Sequence, residues 1–262
     1  MPPAEDGCTF YDALADFPAA RTGDALAFLF ATLGGLVGAE YVFWNLLVRL
    51  GTGEVARTDL CRGWRVCDIA LQDPTPERLA RVKLYLEGTE KQNPLYLGQT
   101  SINLTLHAGE HRVGRMRGGL VDWDTFRQTP HYQLYYGQPG IDDRLWVICP
   151  VNADVESCFC FDRIRHPGEP HFSEADGERA LSLLRPLRWF YRRLIQSRGF
   201  PVGGTPCTPA EHRTLALLLT GRSEKEIADA LGLSVGTTHN RVTALFKKFG
   251  VRSRPELMAL WL

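Results

Sequence analysis

The sequence predicts an α+β domain with a central antiparallel sheet and flanking helices, followed by an all-α module of four short helices. Helical and strand periodicities both occur in residues 1–198, as is typical of an α+β domain. A segment rich in glycine and proline then begins at Gly199 and indicates a linker over 199–206. Residues 207–262 return to a purely helical pattern, so they form the second predicted domain.

Caps, turns and the spacing of apolar residues define the elements of the first domain. Ser173 and Asp176 stand three residues apart, as in a capping box at the start of a helix. Asn152 to Asp154 favours a turn between two apolar runs and predicts a hairpin. Pro186 predicts a kink in the last helix. The predicted elements are a helix from Asp24 to Val37, a strand from Glu40 to Arg49, a helix from Thr75 to Glu87, strands from Arg144 to Pro150 and from Glu156 to Ile164, and a helix from Ser173 to about Ser197.

Composition and apolar patterning predict a cytoplasmic protein without a membrane span. Of the 262 residues, 44% are hydrophobic and 23% are charged, which is ordinary for a globular protein. The apolar runs at 25–36 and 41–50 are interrupted and fall short of the roughly 20 residues that cross a membrane. The first ten residues carry two acids and do not resemble a secretory signal.

The balanced total charge conceals a difference between the two ends. Eight basic and five acidic residues lie from Thr205 to Leu262, which leaves 22 basic and 25 acidic residues in the first 204. A module with charge +3 on a body with charge −3 is the pattern expected if only the C-terminal part meets nucleic acid.

The chain lacks the residue sets that enzymes and metal sites require. It has no recognisable nucleophile–base set, phosphate loop or catalytic carboxylate pair, so we predict no enzyme activity and no cofactor. His107 and His111 are four residues apart, but Gly109 favours a loop and no third ligand lies nearby, so no metal site is predicted. Cys158 and Cys160 alternate on one face of a strand, where core packing is favoured over redox sensing.

Caps and a short turn organise the C-terminal module. Thr208 and Glu211 form a capping box, and Ser223 caps a helix that Gly232 ends. Ser234 then caps a helix from Val235 to Phe249 after a turn of three residues. The second of these two closely joined helices has a polar, basic outer face, as reading of the DNA major groove requires.

These features resemble the C-terminal DNA-binding module of LuxR-type regulators over about 55 residues. The matching segments are Thr208 to Glu211, Gly221 to Ser234, Thr237, Lys248 to Val251 and Arg254 to Leu257. The resemblance implies that Arg254 to Leu262 form the helix through which two such modules pair. It assigns base-edge contacts to His239, Asn240 and Thr243, and phosphate contacts to Thr237, Arg241, Lys247 and Lys248.

Three positions depart from the family pattern. The family usually has valine where Thr238 stands, a long polar residue at His239 and histidine at Arg241. These changes preserve the helical pattern, but they prevent transfer of an operator sequence. His239 is compatible with contact to a base or to a phosphate.

The first domain more loosely resembles the GAF-like sensor halves of regulators that end in this module. The resemblance rests on segments 122–126, 130–132, 144–148, 161–163 and 172–176 with Tyr135 and Gly140, and implies a ligand site between the sheet and its helices. The tryptophans and tyrosines do not align with the ligand set of the acyl-homoserine-lactone receptors. Aromatic density favours core packing over a pocket, but it supplies four ligand-binding candidates, Trp123, Tyr132, Tyr135 and Trp146.

The predicted function is sequence-specific regulation of transcription. In this hypothesis the N-terminal domain senses a small molecule and controls dimerisation or DNA binding, with double-stranded DNA and a second copy of the chain as partners. The alternative keeps the DNA-binding module and makes the N-terminal domain a protein-interaction platform that binds no ligand.

Overall fold

The backbone divides into two compact units. One is Leu29–Arg188, and the other combines the residues up to Phe28 with those from Trp189 onward. Most of the predicted linker lies outside the described residues, so the domain boundary at 199–206 stays a prediction. The computed structural model describes residues 5–50, 53–90, 98–164, 170–200 and 207–260.

Helices precede, interrupt and follow the sheet. The helices predicted in the first domain are present. The segment around Pro186 forms a tight turn that separates Glu174–Leu184 from Arg188–Ser197 and confirms the predicted kink. The helices are α1 (Glu5–Ala15), α2 (Thr22–Val37), α3 (Gly53–Thr58), α4 (Pro76–Glu90), α5 (Gln99–Leu104), α6 (Trp123–Phe126), α7 (Pro130–Tyr132), α8 (Glu174–Leu184), α9 (Arg188–Ser197), α10 (Pro209–Leu219), α11 (Glu224–Leu231), α12 (Val235–Phe249) and α13 (Arg254–Ala259).

Among the described residues the sheet has five strands, in the spatial order β2 (Trp64–Leu71), β1 (Tyr41–Arg49), β5 (Val155–Ile164), β4 (Ile141–Asn152) and β3 (Arg112–Arg115), and every pairing is antiparallel. This confirms the predicted α+β class and the predicted hairpin. Asn152 Oδ1 accepts the Asp154 amide at 2.8 Å and stabilises the hairpin turn.

One face of the sheet packs against α2 and α8. The ring of Phe30 in α2 meets Phe159 of β5 edge-on at 6.1 Å, and both side chains are fully buried. Gly177 allows α8 to approach β3 closely, because a Cβ at that position would lie 2.8 Å from Val113 Cγ1.

Residues 19–37 are the single described helical stretch long and apolar enough to span a membrane. Leu29 and Leu33 in this stretch are buried, as in a core helix of a soluble domain.

The other face of the sheet carries a second apolar layer. This layer includes Phe43, Trp146, Cys158 and Cys160. Helix α4 packs against β2. The sulfurs of Cys158 and Cys160 are 3.8 Å apart, so these side chains share a face as predicted. Burial raises the pKa of the Cys160 thiol, which suits a packed hydrophobic residue better than a reactive one.

The second compact unit joins the first helices to the C-terminal ones. Arg193 of α9 is 5% exposed, and its guanidinium donates to Thr22 Oγ1 at 2.9 Å and to the Pro18 carbonyl at 2.5 Å. The Cys207 amide donates to the Gly199 carbonyl at 2.7 Å. The Arg193 bonds therefore link α9 to the first residue of α2 and the segment before it, and the Cys207 bond links a residue just before α10 to the segment just after α9.

Candidate functional site

A cavity of about 140 Å³ lies between the sheet and α4. Its floor includes Tyr41, Phe43 and Asn45 from β1 and Trp146 from β4. The opposite wall comes from α4, whose lining residues are Arg78, Arg81, Val82 and Tyr85. Residues three and four apart share a helix face, so the helical repeat brings two guanidinium groups and one aromatic ring to the same wall.

A local cap begins the helix that supplies this wall. Thr75 Oγ1 accepts the Arg78 amide at 3.3 Å, and Pro76 occupies the start of α4, where no amide hydrogen is needed. Arg78 then stacks over the Tyr41 ring at 4.1 Å and pairs with Asp73 at 2.7 Å. The first turn of α4 is thus fixed against the edge of the cavity.

A buried ion pair crosses the cavity floor. Arg144 Nε and Nη2 lie 2.5 and 2.8 Å from the two carboxylate oxygens of Asp162, and the side chains are 11% and 2% exposed. Burial would lower the pKa of Arg144, but the Asp162 carboxylate outweighs this effect and raises it, so the guanidinium stays charged. The same guanidinium stacks at 4.8 Å from the Phe43 ring and 4.6 Å from the Tyr136 ring.

A β-bulge places these two charges opposite each other. Asn152 pairs with Val155, but the register shifts between Pro150 and Asn152, and Arg144 pairs with Asp162. Without this shift, continuation from the hairpin turn would set Arg144 opposite Arg163 and turn Asp162 to the other face.

Hydroxyl groups around the cavity remain protonated. Tyr85 Oη lies 2.9 Å from Ser101 Oγ, and Tyr136 Oη lies 3.4 Å from Thr100 Oγ1. Burial raises the pKa of both tyrosines. The cavity therefore combines aromatic walls with neutral hydrogen-bonding groups, as small-molecule sites usually do.

The four predicted ligand-binding candidates separate into two pairs. Tyr135 and Trp146 line the cavity. Trp123 and Tyr132 line a neighbouring groove, where their rings meet edge-on at 5.4 Å and Arg117 stacks 3.3 Å from the Trp123 ring. The sequence analysis did not identify several residues that line the cavity. The helical spacing of the two α4 arginines could have identified the cavity wall that α4 supplies. The residues of the cavity floor could not be identified in this way, because their positions depend on strand register. The missed residues include Asn45, Arg78, Arg81, Arg144 and Asp162.

No metal site accompanies the cavity in the part of the chain that the structure describes. There, no three or more His, Cys, Asp or Glu side chains are grouped so that they could hold a metal ion.

The C-terminal module has the predicted helix–turn–helix geometry. The Ser223 hydroxyl accepts the Glu226 amide at 3.3 Å, and the Glu226 carboxylate accepts the Ser223 amide at 2.8 Å, which completes a capping box. Gly232 ends α11 with φ of 64°, a left-handed conformation that glycine adopts without strain. Ser234 Oγ then accepts the Thr237 amide at 3.1 Å and begins α12.

The two faces of α12 differ as the sequence predicts. Thr238, Val242 and Leu245 are buried in the core of the module. Arg241 and Lys248 are half-buried. The remaining predicted contact residues on the outer face are exposed: Thr237, His239, Asn240, Thr243 and Lys247.

Residues 206–261 match the family described as bacterial regulatory proteins, luxR family. The C-terminal module is a LuxR-type helix-turn-helix domain. A curated relative, the transcriptional regulatory protein MctR of Rhizobium johnstonii, is 39% identical over 56 residues, which are 21% of this chain. The match spans about a quarter, 26%, of the length of MctR.

Two solved structures resemble the chain over a longer range. SdiA in complex with octanoyl-rac-glycerol is 14% identical, with 99% of this chain and 96% of SdiA covered and a TM-score of 0.48. The VqsR LBD domain from Pseudomonas aeruginosa is 16% identical, with 73% of this chain and 96% of that domain covered and a TM-score of 0.44.

Ion pairs within the LuxR-type domain distinguish its two neighbouring lysines. Lys248 Nζ lies 2.6 Å from Glu211 Oε2, and these side chains are 18% and 17% exposed. Burial alone would raise the pKa of Glu211, but hydrogen bonds from Lys248 and Thr208 outweigh it and lower that pKa. Lys248 thus joins α12 to α10, whereas Lys247 faces solvent. The phosphate contacts predicted for both lysines stay predictions.

His239 also has a partner inside the domain. Its Nδ1 lies 3.1 Å from Glu224 Oε2 in the first turn of α11. A carboxylate at Nδ1 leaves Nε2 as the ring atom directed away from this contact. The predicted base contact of His239 would therefore use Nε2.

The last described helix is tied to the same domain. Arg254 donates to the Arg222 carbonyl at 2.5 Å and to the Leu218 carbonyl, and Leu257 is fully buried. The role of α13 as a pairing helix stays a prediction, and Trp261 and Leu262 lie outside the described residues.

Proposed function

We propose that this protein is a sequence-specific, DNA-binding transcription regulator whose N-terminal domain binds a small molecule. The observation that carries the DNA-binding half is α12 of the LuxR-type domain, which follows a turn of three residues and exposes a polar, basic face. A helix of this kind reads base edges while its flanking residues meet phosphates. In this proposal the chain works in the cytoplasm and is not an enzyme.

The cavity supports the sensing half of the proposal. It lies between a sheet and a helix, has aromatic and aliphatic walls and contains a few fixed polar groups, which is the usual composition of a ligand site. We assign the first predicted domain, residues 1–198, to a GAF-like sensor on the basis of its sequence resemblance and call it the sheet domain. Ligand binding would control dimerisation through α13 or accessibility of α12, provided that the ligand binds the two states with different affinity.

DNA selection tests the first half directly. Full-length protein would be bound to a pool of random duplexes, and the retained duplexes sequenced after repeated rounds. We expect one enriched motif with two related half-sites, because two paired modules read a two-fold symmetric site. Retention without sequence enrichment would contradict specific recognition.

Lys247→Ala tests the orientation of α12. Loss of one phosphate contact should weaken binding to all duplexes and reduce the slope of log affinity against log salt by about 1. Lys83→Ala is the matched control, because Lys83 is 78% exposed and lies in the sheet domain. An unchanged salt slope for Lys247→Ala would exclude its phosphate contact.

Native mass spectrometry of purified full-length protein tests the second half. A dimer with one defined extra mass per chain would support ligand sensing, and denaturation would release that molecule for analysis. An empty dimer that captures one stoichiometric protein partner would instead favour the interaction-platform alternative.

A further inference from the structure

Two buried polar atoms on the cavity floor, Tyr41 Oη and Asn45 Oδ1, have no hydrogen-bond partner among the described residues, and of the two only the amide oxygen is purely an acceptor. Asn45 lies in the middle of β1, opposite Ile69 and Cys158, and is 9% exposed. Its Nδ2 donates to Cys160 Sγ at 3.3 Å, but its Oδ1 has no hydrogen-bond partner among the described residues. Because buried polar atoms are nearly always hydrogen-bonded, this oxygen marks a position for a donor from a bound molecule.

The cavity wall has an excess of positive charge. Three arginines and one aspartate line it. Arg144 is held by Asp162, and Arg78 by Asp73. Arg81 is half-buried and has no carboxylate within ion-pair distance among the described residues, although its charge helps to lower the pKa of Glu77 one turn earlier on α4. Guanidinium groups bind carboxylates through two parallel hydrogen bonds, so this lining favours an anion over a cation.

The apolar part of the cavity lining is both aromatic and aliphatic. The rings of Tyr85 and Tyr135 meet edge-on at 5.4 Å, and Phe43 and Trp146 belong to the sheet side of the same cavity. Flat apolar walls of this kind pack efficiently against an aromatic ring. The cavity volume of about 140 Å³ leaves room for a small molecule such as one with a single ring.

We propose that this cavity binds an aromatic carboxylic acid that carries a hydroxyl or N–H group on its ring. The carboxylate lies against Arg81 on the α4 wall, the ring packs among the aromatic side chains, and the ring donor reaches Asn45 Oδ1 on the sheet. This assignment rests on the proposed sensing function and names the class of ligand.

Three related probes separate the contributions of the charge and of the donor. Full-length protein would be titrated calorimetrically with para-hydroxyphenylacetate, with phenylacetate, which lacks the donor, and with para-hydroxyphenylacetamide, which lacks the charge. We expect the first to bind, and each of the other two to bind about tenfold more weakly, as expected for loss of one buried hydrogen bond or charge contact. Equal affinity for the acid and its amide would overturn the anion assignment.

Two variants connect each preference to its residue. Arg81→Gln should abolish the preference for acid over amide but retain the preference for the hydroxyl, and Arg81→Lys should restore part of the former. Asn45→Leu should abolish the preference for the hydroxyl but retain the preference for acid over amide, because it removes the acceptor at similar volume. Lys83→Gln is the matched control, since it removes an exposed charge from α4 outside the cavity lining. If either preference survives its variant, that contact is wrong.

Failure of this assignment is distinguishable from failure of the sensing function. If all three probes fail to bind while native mass spectra reveal a neutral molecule that copurifies with the chain, the sensing function stands and the aromatic acid is excluded. If the probes do not bind and no molecule copurifies with the chain, both the aromatic-acid assignment and the sensing function are rejected. Because the probe comparison uses the unmodified protein, this result does not depend on whether the variants fold.

Discussion

The polar groups that begin α12 lie three residues apart in sequence, whereas the charges on the cavity floor lie 18 residues apart. Ser234 caps the Thr237 amide within its own helix, and Thr208 and Ser223 begin α10 and α11 in the same way. Arg144 and Asp162 meet only because β4 and β5 pair in one particular register. The LuxR-type domain is therefore specified largely by local contacts, and the cavity by contacts between strands.

Polar and charged side chains also differ in exposure between α12 and the cavity floor. On α12 the side chains of Thr237, Asn240 and Lys247 project into solvent, where they are available to a partner. In the cavity, Arg144 and Asp162 are withdrawn from solvent and depend on each other. Loss of one charge should therefore affect recognition in the first region and folding stability in the second.

The largest expected effect comes from Asp162→Ala. It leaves the Arg144 guanidinium buried without its carboxylate and should lower the free energy of unfolding of the sheet domain by about 3–5 kcal/mol. Asp154→Ala is the control, because it breaks the exposed pair with Arg49 at a cost of about 0–1 kcal/mol. Urea unfolding followed by tryptophan fluorescence measures both.

Equal losses in the two aspartate variants would contradict the contrast between buried and exposed charge. If Asp162→Ala does not fold, the double variant Arg144→Met with Asp162→Leu provides the comparison. It removes both charges and should recover most of the lost stability, because apolar residues of similar volume replace a buried pair at little cost.

The next effect concerns His239 and tests whether the outer face of α12 specifies sequence. His239→Ala should reduce discrimination at one base pair of the selected motif by about 1–3 kcal/mol, with little change in binding to random duplexes. Glu224→Gln should cause a smaller loss at the same base pair, because Glu224 holds the ring at 3.1 Å. Competition binding with single-base variants of the motif provides the measurement.

A uniform loss across all sequences in His239→Ala would instead assign this side chain to a phosphate. His171→Ala is the control, since His171 is 46% exposed and lies in the sheet domain.

A substitution at Thr238 should have a smaller effect on the free energy of unfolding, and it should stabilise the domain rather than destabilise it. Its side chain is fully buried in α12, and its hydroxyl has no hydrogen-bond partner among the described residues. Thr238→Val keeps the shape and removes the unsatisfied hydroxyl, so it should stabilise the LuxR-type domain by about 1 kcal/mol. Thr243→Val, on the exposed face of the same helix, should change stability by less than about 0.5 kcal/mol. Thermal unfolding distinguishes them, and destabilisation by Thr238→Val would show that the hydroxyl is satisfied.

The smallest effect is the pH dependence that Glu211 contributes. Because its pKa in the folded domain lies below the usual value of 4.5, its ionised form stabilises the domain above about pH 4.5, and this contribution is lost as the pH falls through the lowered pKa. Glu211→Gln should therefore destabilise the domain at pH 7, with a difference from the wild type that shrinks on acidification.

Unfolding midpoints across this pH range measure the Glu211 effect. Asp229→Asn removes an exposed carboxylate from α11 and controls for net charge. A difference between Glu211→Gln and the wild type that is constant with pH would contradict the role of the Glu211–Lys248 pair.

Most of the LuxR-type domain could be predicted from the sequence because its signals are short. Each helix start is marked by a serine or threonine whose hydroxyl accepts an amide three residues later, and Gly232 marks an end. The buried stripe of α12 repeats at helical spacing, which also places His239 and Asn240 outside. The contacts to Glu224 and Glu211 are not encoded in this way, because they join different helices.

The sheet domain could be predicted only in part. The β4–β5 hairpin has alternating apolar runs around a turn, so its existence was predictable. Strand β3 has four residues and β2 lacks a clear alternation of buried and exposed positions, so neither carries a strong strand signal. Tyr135 and Trp146 reach the cavity, whereas Trp123 and Tyr132 line the groove beside it, and aromatic density alone does not separate these pairs.

The sequence by itself determined the α+β class, the hairpin, the order of the C-terminal helices and the outer face of α12, because caps and periodicities act over three or four residues. Only the tertiary structure decided what the cavity contains. A one-residue shift at the β4 bulge reverses which side chains face α4, and it brings Arg144 to Asp162 rather than to Arg163. Strand register is settled by packing between distant segments, so the polar groups of the cavity emerge only when the sheet assembles.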